Sequence, residues 1–554
     1  MKNNKYKISK SILVTLSCLS MVACNSELDQ APLYFTDEQI LEILNSENEQ
    51  DQERKNTIIK GLCANLEENF RMNGLYNGYS FHIANDINSQ DITLNCRCND
   101  IVVGSQIHAS SSDTYVRFYN LNPDFQPWRG DQSTTGWCYP LWALSCNTLT
   151  NANKVLTIVS DEIAQKGTPE VKQGRASALC VRAFSYMTLM ERFQKAYLHG
   201  GKGGEGMPIY TEYKINMPLP PASADETFDF IKKDLDEAIA LYKEANIESE
   251  GFTKATNDID LGVAQYLKAR VSLWTGDYGA CINSCKDIMN HYSTFITEEN
   301  YGVSSSLFDE IQSGTKDVHA EENAFTCLKS NPECILGWVD GNGASTYYYD
   351  VFNVFAGDGT STNPVYMRMD DRLYNMIDDN DFRKDKVLTE SKEFTYFKDN
   401  NTHTLPSYSS LKWGATIALQ QKDRSEKINT DQCLYRTSNV VLMLAEAYSE
   451  LGDDAAAKNT LDILLQARTR DGAETLTCDN YKGNLSLKDL IKLQWRIEMW
   501  GELGLEFYNV KRWNTPVDRN NSTIHWSINK SLPIEHMTYE IPMQEYNFNP
   551  GWGR

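Results

Sequence analysis

Residues 263–292, VAQYLKARVSLWTGDYGACINSCKDIMNHY, and 439–468, NVVLMLAEAYSELGDDAAAKNTLDILLQAR, follow one plan. In each, a helical apolar stripe runs into a Gly-Asp turn and a second helical stripe follows. Small residues stand where the two helices cross. Paired helices of about 34 residues with this pattern are the signature of tetratricopeptide (TPR) repeats. Such a unit buries its apolar faces only by stacking on a neighbour. Residues 293–438 separate the two units and are rich in Gly, Asn, Asp, Tyr and short alternating segments. The spacing therefore predicts two units that meet around an insertion: an α-helical scaffold carrying a loop-rich second region.

Other segments carry the same period. In VKQGRASALCVRAFSYMTLMERFQ, Ala176, Leu179, Cys180, Ala183, Met187 and Met190 fall at the one-face spacing of an amphipathic helix. SADETFDFIKKDLDEAIALY opens with Ser223 and places Glu226 three residues on, a capping-box pattern, then spaces Phe228, Ile231, Leu235, Ile239 and Tyr242 for burial. Trp274, Trp495 and Trp500 lie inside helical patterns and are expected in the core.

The amino terminus reads differently. MKNNKYKISK carries four lysines and no acid, and SILVTLSCLSMVA, residues 11–23, is mostly apolar and ends on Ala23 before Cys24. That is a signal-peptide charge pattern, apolar run and small residue at the cleavage point. At about 1.5 Å per residue the run falls short of a hydrocarbon core of about 30 Å. A small residue followed by cysteine resembles the bacterial lipobox, with Met21 where leucine is preferred. Cys24 is the expected lipidation site, 1–23 the signal peptide, 24–36 a lipidated tether and 37–554 one domain in two parts, 37–325 and 326–554.

The formal net charge of −22 argues against a nucleic-acid partner, because phosphates would be repelled. Tyrosine (29) and tryptophan (11) are plentiful and suit ligand faces as well as cores. Beyond Cys18 and Cys24, the cysteines show no metal-ligand spacing: Cys96 and Cys98 are too close, and Cys281 and Cys285 stand at helical spacing. Bridges are open but unassigned.

Catalytic signatures are missing. GGKGGEG (200–206) lacks phosphate-loop spacing, HAEEN (319–323) is not H-E-x-x-H, and GVSSSL (302–307) is not G-x-S-x-G. Asp370–Asp371 and Asp378–Asp379 are acid pairs, expected as solvated surface in a chain with 75 acids. GDGTSTN (357–363) offers oxygens of the kind calcium takes, without EF-hand spacing, and reads as a tight turn. No cofactor or metal is expected and no enzyme activity.

Seven segments, in order, resemble the SusD/RagB family of outer-membrane nutrient-binding lipoproteins. They are LWALSCNTLTNANKVL (141–156), RASALCVRAFSYMTLMERFQKAY followed by MPIYTE, DDNDFRKDKVL (378–388), SLKWG (410–414), YRTSNVVLMLAEAYSELGD, LIKLQWRIEMWGELGLEFYNVKRW (490–513) and the terminal IPMQEYNFNPGW. Phe382 stands where the family usually has proline, and WRIEMW departs from the usual Arg-Arg or Glu-Arg. The resemblance implies a mostly α, TPR-like right-handed superhelix with a loop-rich insertion containing short strands. It implies a surface lipoprotein that binds an oligo- or polysaccharide and delivers it to a SusC-like TonB-dependent transporter in the outer membrane of a Bacteroidetes-type bacterium. Glu27 and Asp29 resemble the family's surface-export signal. A peptide or glycoprotein ligand, or a role mainly as a protein-interaction lid on the transporter, is the alternative on the same scaffold.

The resemblance also points to loops before the early helix and in the central insertion as the ligand site. The first, 113–137, carries Tyr115, Tyr119, Trp128, Arg129 and Trp137. The second carries Trp338, Asp340, Asn342, Tyr347, Tyr348, Tyr349 and Tyr366. A sugar presents C–H faces to aromatic rings and hydroxyls to polar side chains, so a site needs both. Outside the Tyr triplet these aromatics fall on no helical stripe, which predicts exposure; Trp128, Trp338, Tyr347 and Tyr349 lead the candidates.

Overall fold

The structure, a computed structural model, describes residues 37–46, 48, 51–71, 87–104, 118–121, 138–213, 217–247, 251–253, 255–339, 367–395, 402–414 and 431–552. Its scaffold is a file of helices: α1 (Gln52–Arg71), α2 (Cys138–Ile158), α3 (Pro169–Phe193), α4 (Ala224–Ala245), α5 (Leu261–Thr275), α6 (Tyr278–Met289), α7 (Thr437–Glu450), α8 (Asp454–Ala467), α9 (Leu487–Glu498) and α10 (Leu505–Arg512). From α2 to α8 each packs on the one before it, and α9 packs on α7. Among the described residues no helix is long and apolar enough to cross a membrane.

The two repeat units do meet. Helix α6 lies against α7, and the Tyr266 hydroxyl of α5 donates to Asn439 Oδ1. The Tyr266 and Tyr435 rings stack with centroids 3.9 Å apart. Both Gly-Asp turns use one stereochemistry: Gly276 and Gly452 take φ of +77° and +80°, and Asp277 and Asp453 accept from the backbone N–H of Ala280 and Ala456. Glycine reaches the left-handed region without a Cβ penalty, and aspartate caps the next helix.

Helix α3 differs from its sequence reading. Instead of one buried face, it is buried on all sides from Gly174 to Phe193, because α1, α2 and α4 surround it. Its charges are paired in the interior. Arg182 makes a two-pronged contact with Asp234 at 2.7 and 2.8 Å, Glu191 holds Arg270, and Arg192 reaches Asp91 at 2.9 Å. The capping box of α4 forms as expected, with Ser223 and Glu226 each accepting from the other's backbone N–H. Trp274, Trp495 and Trp500 are core residues, as their patterns imply.

The strands are short and pair two by two: β1 (Ile101–Val103), β2 (Cys334–Trp338), β3 (Met367–Met369), β4 (Lys392–Thr395), β5 (Thr402–Leu405), β6 (Gln432–Arg436), β7 (Val517–Asp518) and β8 (Ser531–Leu532). The pairs β1–β3, β2–β6, β4–β5 and β7–β8 are all antiparallel. SLKWG, one of the seven segments, makes only an isolated bridge from Ser410 to Val387.

What SLKWG does instead is ionic. Lys412, Arg383, Arg436 and Arg468 meet Glu333, Asp381, Glu498 and Glu502 in a buried cluster of four cations and four carboxylates. Burying charge is costly unless each ion is paired and hydrogen-bonded. Glu498 receives Arg436 at 2.6 Å, Arg468 at 2.8 Å and Arg383 at 2.7 Å. Burial would raise its carboxyl, but these guanidiniums together hold it well below the usual range. Phe382, at the usual proline position, packs edge-on against Tyr301 with Arg468 over its ring. The cluster ties the insertion's two necks, at Glu333 and Arg436, to the last helices.

Candidate functional site

The first loop singled out for ligand binding leaves the scaffold beside the point where the second returns to it. In the β1–β3 pair Val103 lies opposite Met367, so the chain departing toward residue 105 and the chain arriving from residue 366 are side by side. In the β2–β6 pair Trp338 lies opposite Gln432, which places the departure at residue 339 beside the return at residue 431. Arg368 fastens the first pair, donating to Gly104 O at 3.2 Å and Ser407 O at 2.7 Å.

Behind β1 sits a polar knot. Arg519 donates to the carbonyls of Cys96, Cys98 and Tyr119, at 2.6–2.9 Å. The His525 Nε2 lies 2.8 Å from Asn99 O, and a carbonyl only accepts, so Nε2 carries the proton. Nδ1 then accepts from the Tyr119 hydroxyl at 2.8 Å, and that oxygen accepts from the Trp526 backbone N–H at 3.1 Å. Burial lowers the His525 imidazole below its ordinary range, although Asp370 Oδ2 stands 3.2 Å from Nε2. Burial would raise Asp370 in turn, but His525, Ser522 and Arg372 beside it hold its carboxyl below the usual range.

Two candidates prove to be packing residues. Tyr119 is fully buried, its hydroxyl committed to His525 and its ring covered by Arg519 and Trp526. Trp338 is 8% exposed at the end of β2 and belongs to the core. The expectation of exposure fails for both because a residue at a strand end, or one whose ring is covered by neighbouring side chains, can point inward without any helical stripe. Cys24, Tyr115, Trp128, Arg129, Trp137, Asp340, Asn342, Tyr347, Tyr348, Tyr349 and Tyr366 lie outside the described residues, as does GDGTSTN.

Sequence reasoning passed over three aromatics on the same rim. Trp526 is half-buried, donates from Nε1 to Val103 O at 3.0 Å and packs 5.0 Å from Tyr119. It sits in STIHWSINK, free of a helical stripe, the same criterion that selected Trp128. Tyr374 and Tyr408 meet edge-on at 5.4 Å and are half-exposed, with Lys384 over Tyr374. Flat aromatic faces with the Lys384 ammonium over Tyr374 offer both kinds of contact a sugar needs.

The acid pair Asp370–Asp371 is buried and structural rather than a solvated surface, whereas Asp379 is exposed as expected. Asp370 caps the helix Asp371–Met376, Asp371 accepts from Ser522 and Thr523, Asp378 accepts from the Asn380 and Lys482 N–H groups, and Asp379 pairs with Lys384. Among the described residues no group of three or more His, Cys, Asp or Glu is arranged to hold a metal.

Two family models account for most of the chain. The SusD family model matches residues 306–548, and a SusD-like model described as starch-binding and associating with the outer membrane matches residues 38–258.

The chain belongs to the SusD family.

Solved SusD-like structures share its fold. A SusD-like carbohydrate binding protein from Bacteroides vulgatus is 19% identical, with a TM-score of 0.63 over 90% of this chain and 97% of its own. A SusD superfamily protein from Bacteroides thetaiotaomicron is 17% identical, with a TM-score of 0.61 over 89% and 98%. A SusD-like protein described as laminarin binding is also 17% identical, with a TM-score of 0.55 over 89% and 97%. No curated protein matches the chain. The family models and these neighbours make carbohydrate binding the family's activity and the outer membrane its setting.

Proposed function

We propose that this SusD-family chain is a surface lipoprotein, anchored through Cys24, that captures an oligo- or polysaccharide and passes it uncleaved to a SusC-like TonB-dependent transporter. The observation that carries the reading is the Val103–Met367 pairing, which sets the start of one aromatic-rich span beside the end of the other. Trp128, Tyr347 and Tyr349 supply stacking faces from those spans, and Trp526 supplies one from the rim. Residues 37–554 act as one unit, with the insertion as its ligand-facing part.

Affinity electrophoresis and calorimetry with a panel of glycans and peptides test this. Glycan binding is expected, and Trp128→Ala or Tyr347→Ala weakens it by about 1–2 kcal/mol, the scale of one aromatic contact. Peptide binding without glycan binding would replace the reading with peptide capture. Cys24→Ala is expected to shift the protein out of the membrane fraction.

A further inference from the structure

We propose that Cys334 and Cys433 join as a disulfide across the neck of the 339–431 insertion. The proposal rests on the export reading above, because an exported chain meets oxidants that a cytosolic one does not.

The β2–β6 register is irregular where these cysteines lie. Cys334 is opposite Arg436 and Gly337 is opposite Cys433, with shifts on either side of Leu336. At this irregularity a Cβ added at Gly337 would lie 3.1 Å from Cys334 Sγ and 2.5 Å from Gln432 O. The Cys334 thiol thus occupies the space a side chain at 337 would need, facing the position of Cys433. The Cys433 thiol donates to Tyr435 O at 3.6 Å, and the neighbouring Cys334 thiol, together with burial, pushes its pKa up.

Access separates this pair from the other close one. Cys281 and Cys285 have sulfurs 4.0 Å apart, but both are fully buried one turn apart in α6. Cys334 and Cys433 are each partly exposed. All twelve described cysteines are free thiols in this structure.

The chemistry is thiol–disulfide exchange with a disulfide oxidant of the cell envelope, or glutathione disulfide in vitro. One cysteine thiolate attacks the oxidant, breaking its S–S bond, releasing one thiol and leaving a mixed disulfide. The second thiolate attacks the protein sulfur of that mixed disulfide and expels the other oxidant thiol. The protein loses two protons and two electrons, and the oxidant gains both. The bond closes a loop of about 100 residues, and in the chain-entropy account a cross-link restricts the unfolded chain more the longer the loop it closes.

Trypsin places each cysteine alone in its own peptide, residues 330–368 and 428–436. Purified native protein is treated with glutathione disulfide, free thiols are alkylated, and the digest is read by mass without reduction. The expected result is a linked pair of these peptides, about 2 Da lighter than their sum, lost in Cys334→Ser and in Cys433→Ser. Alkylation of both cysteines, a glutathione adduct on either without the link, or linkage to other cysteines overturns the proposal. In cells, envelope-fraction protein is expected to resist alkylation at both positions, and full alkylation there also overturns it. Recovery from the cytosol instead defeats the export reading, and the purified protein still decides the pair.

Discussion

Single side chains in this protein matter most where charge is buried. Glu498 holds three guanidiniums, so Glu498→Gln leaves cations in the interior without their carboxylate. The expected loss is about 3–5 kcal/mol, measured by urea unfolding at neutral pH. Lys511 makes a different case. It is buried in α10 with Nζ donating to Glu191 O at 2.6 Å, and burial outweighs the nearby Glu191 charge, lowering its pKa to about 7. Between pH 7 and its ordinary range near 10.5 the unfolded chain holds a proton that the folded chain has released. Stability from this group therefore rises with pH through that window and is lost on the way down. The unfolding free energy of Lys511→Met is expected to rise less steeply between pH 8 and 9, by about 1.4 kcal/mol per pH unit. Equal slopes in variant and parent would show that Lys511 keeps its proton.

At the scale of elements, the Gly-Asp turns are the parts most legible in the sequence. Both caps form, because an N-cap aspartate and a left-handed glycine are local chemistry that needs no tertiary context. Asp453→Ala is expected to cost about 1 kcal/mol in thermal or denaturant unfolding, with Asp453→Asn restoring most of it. Helix α3 was less legible: its apolar stripe is present, but Arg175, Arg182, Glu191 and Arg192 look like a solvated face until their partners are seen. Those partners come from Glu237, Asp234, Arg270 and Asp91, up to 101 residues away, and no periodicity encodes such pairings. Tyr119 and Trp338 failed for a related reason. Lack of a helical stripe says nothing about a strand end, whose inward side is set by its pairing partner. Trp526 meets the same criterion as Trp128 but lies outside the two loops to which the resemblance points.

For the molecule as a whole, four of the seven motifs that carried the family resemblance turn out to contribute to one electrostatic core, which Glu333 and Arg468 complete. DDNDFRKDKVL supplies Asp381 and Arg383, SLKWG supplies Lys412, the sixth motif supplies Glu498 and Glu502, and Arg436 opens the late helix segment. The order of the motifs was readable; their convergence at one buried point was not. Because α6 packs on α7 and the cluster joins insertion to C-terminal helices, both repeat units are expected to unfold together. Tryptophan fluorescence and far-ultraviolet circular dichroism should trace one coincident urea transition, and two separated transitions would show independent halves. The adjacency of Val103 and Met367 carries a last consequence. Two stretches of chain more than 260 positions apart share one doorway, so either can be rewritten in length and composition while the frame around it stays as built. On the proposed function, a transplant that swaps both stretches together between two such frames is expected to carry the ligand choice of one protein to the other.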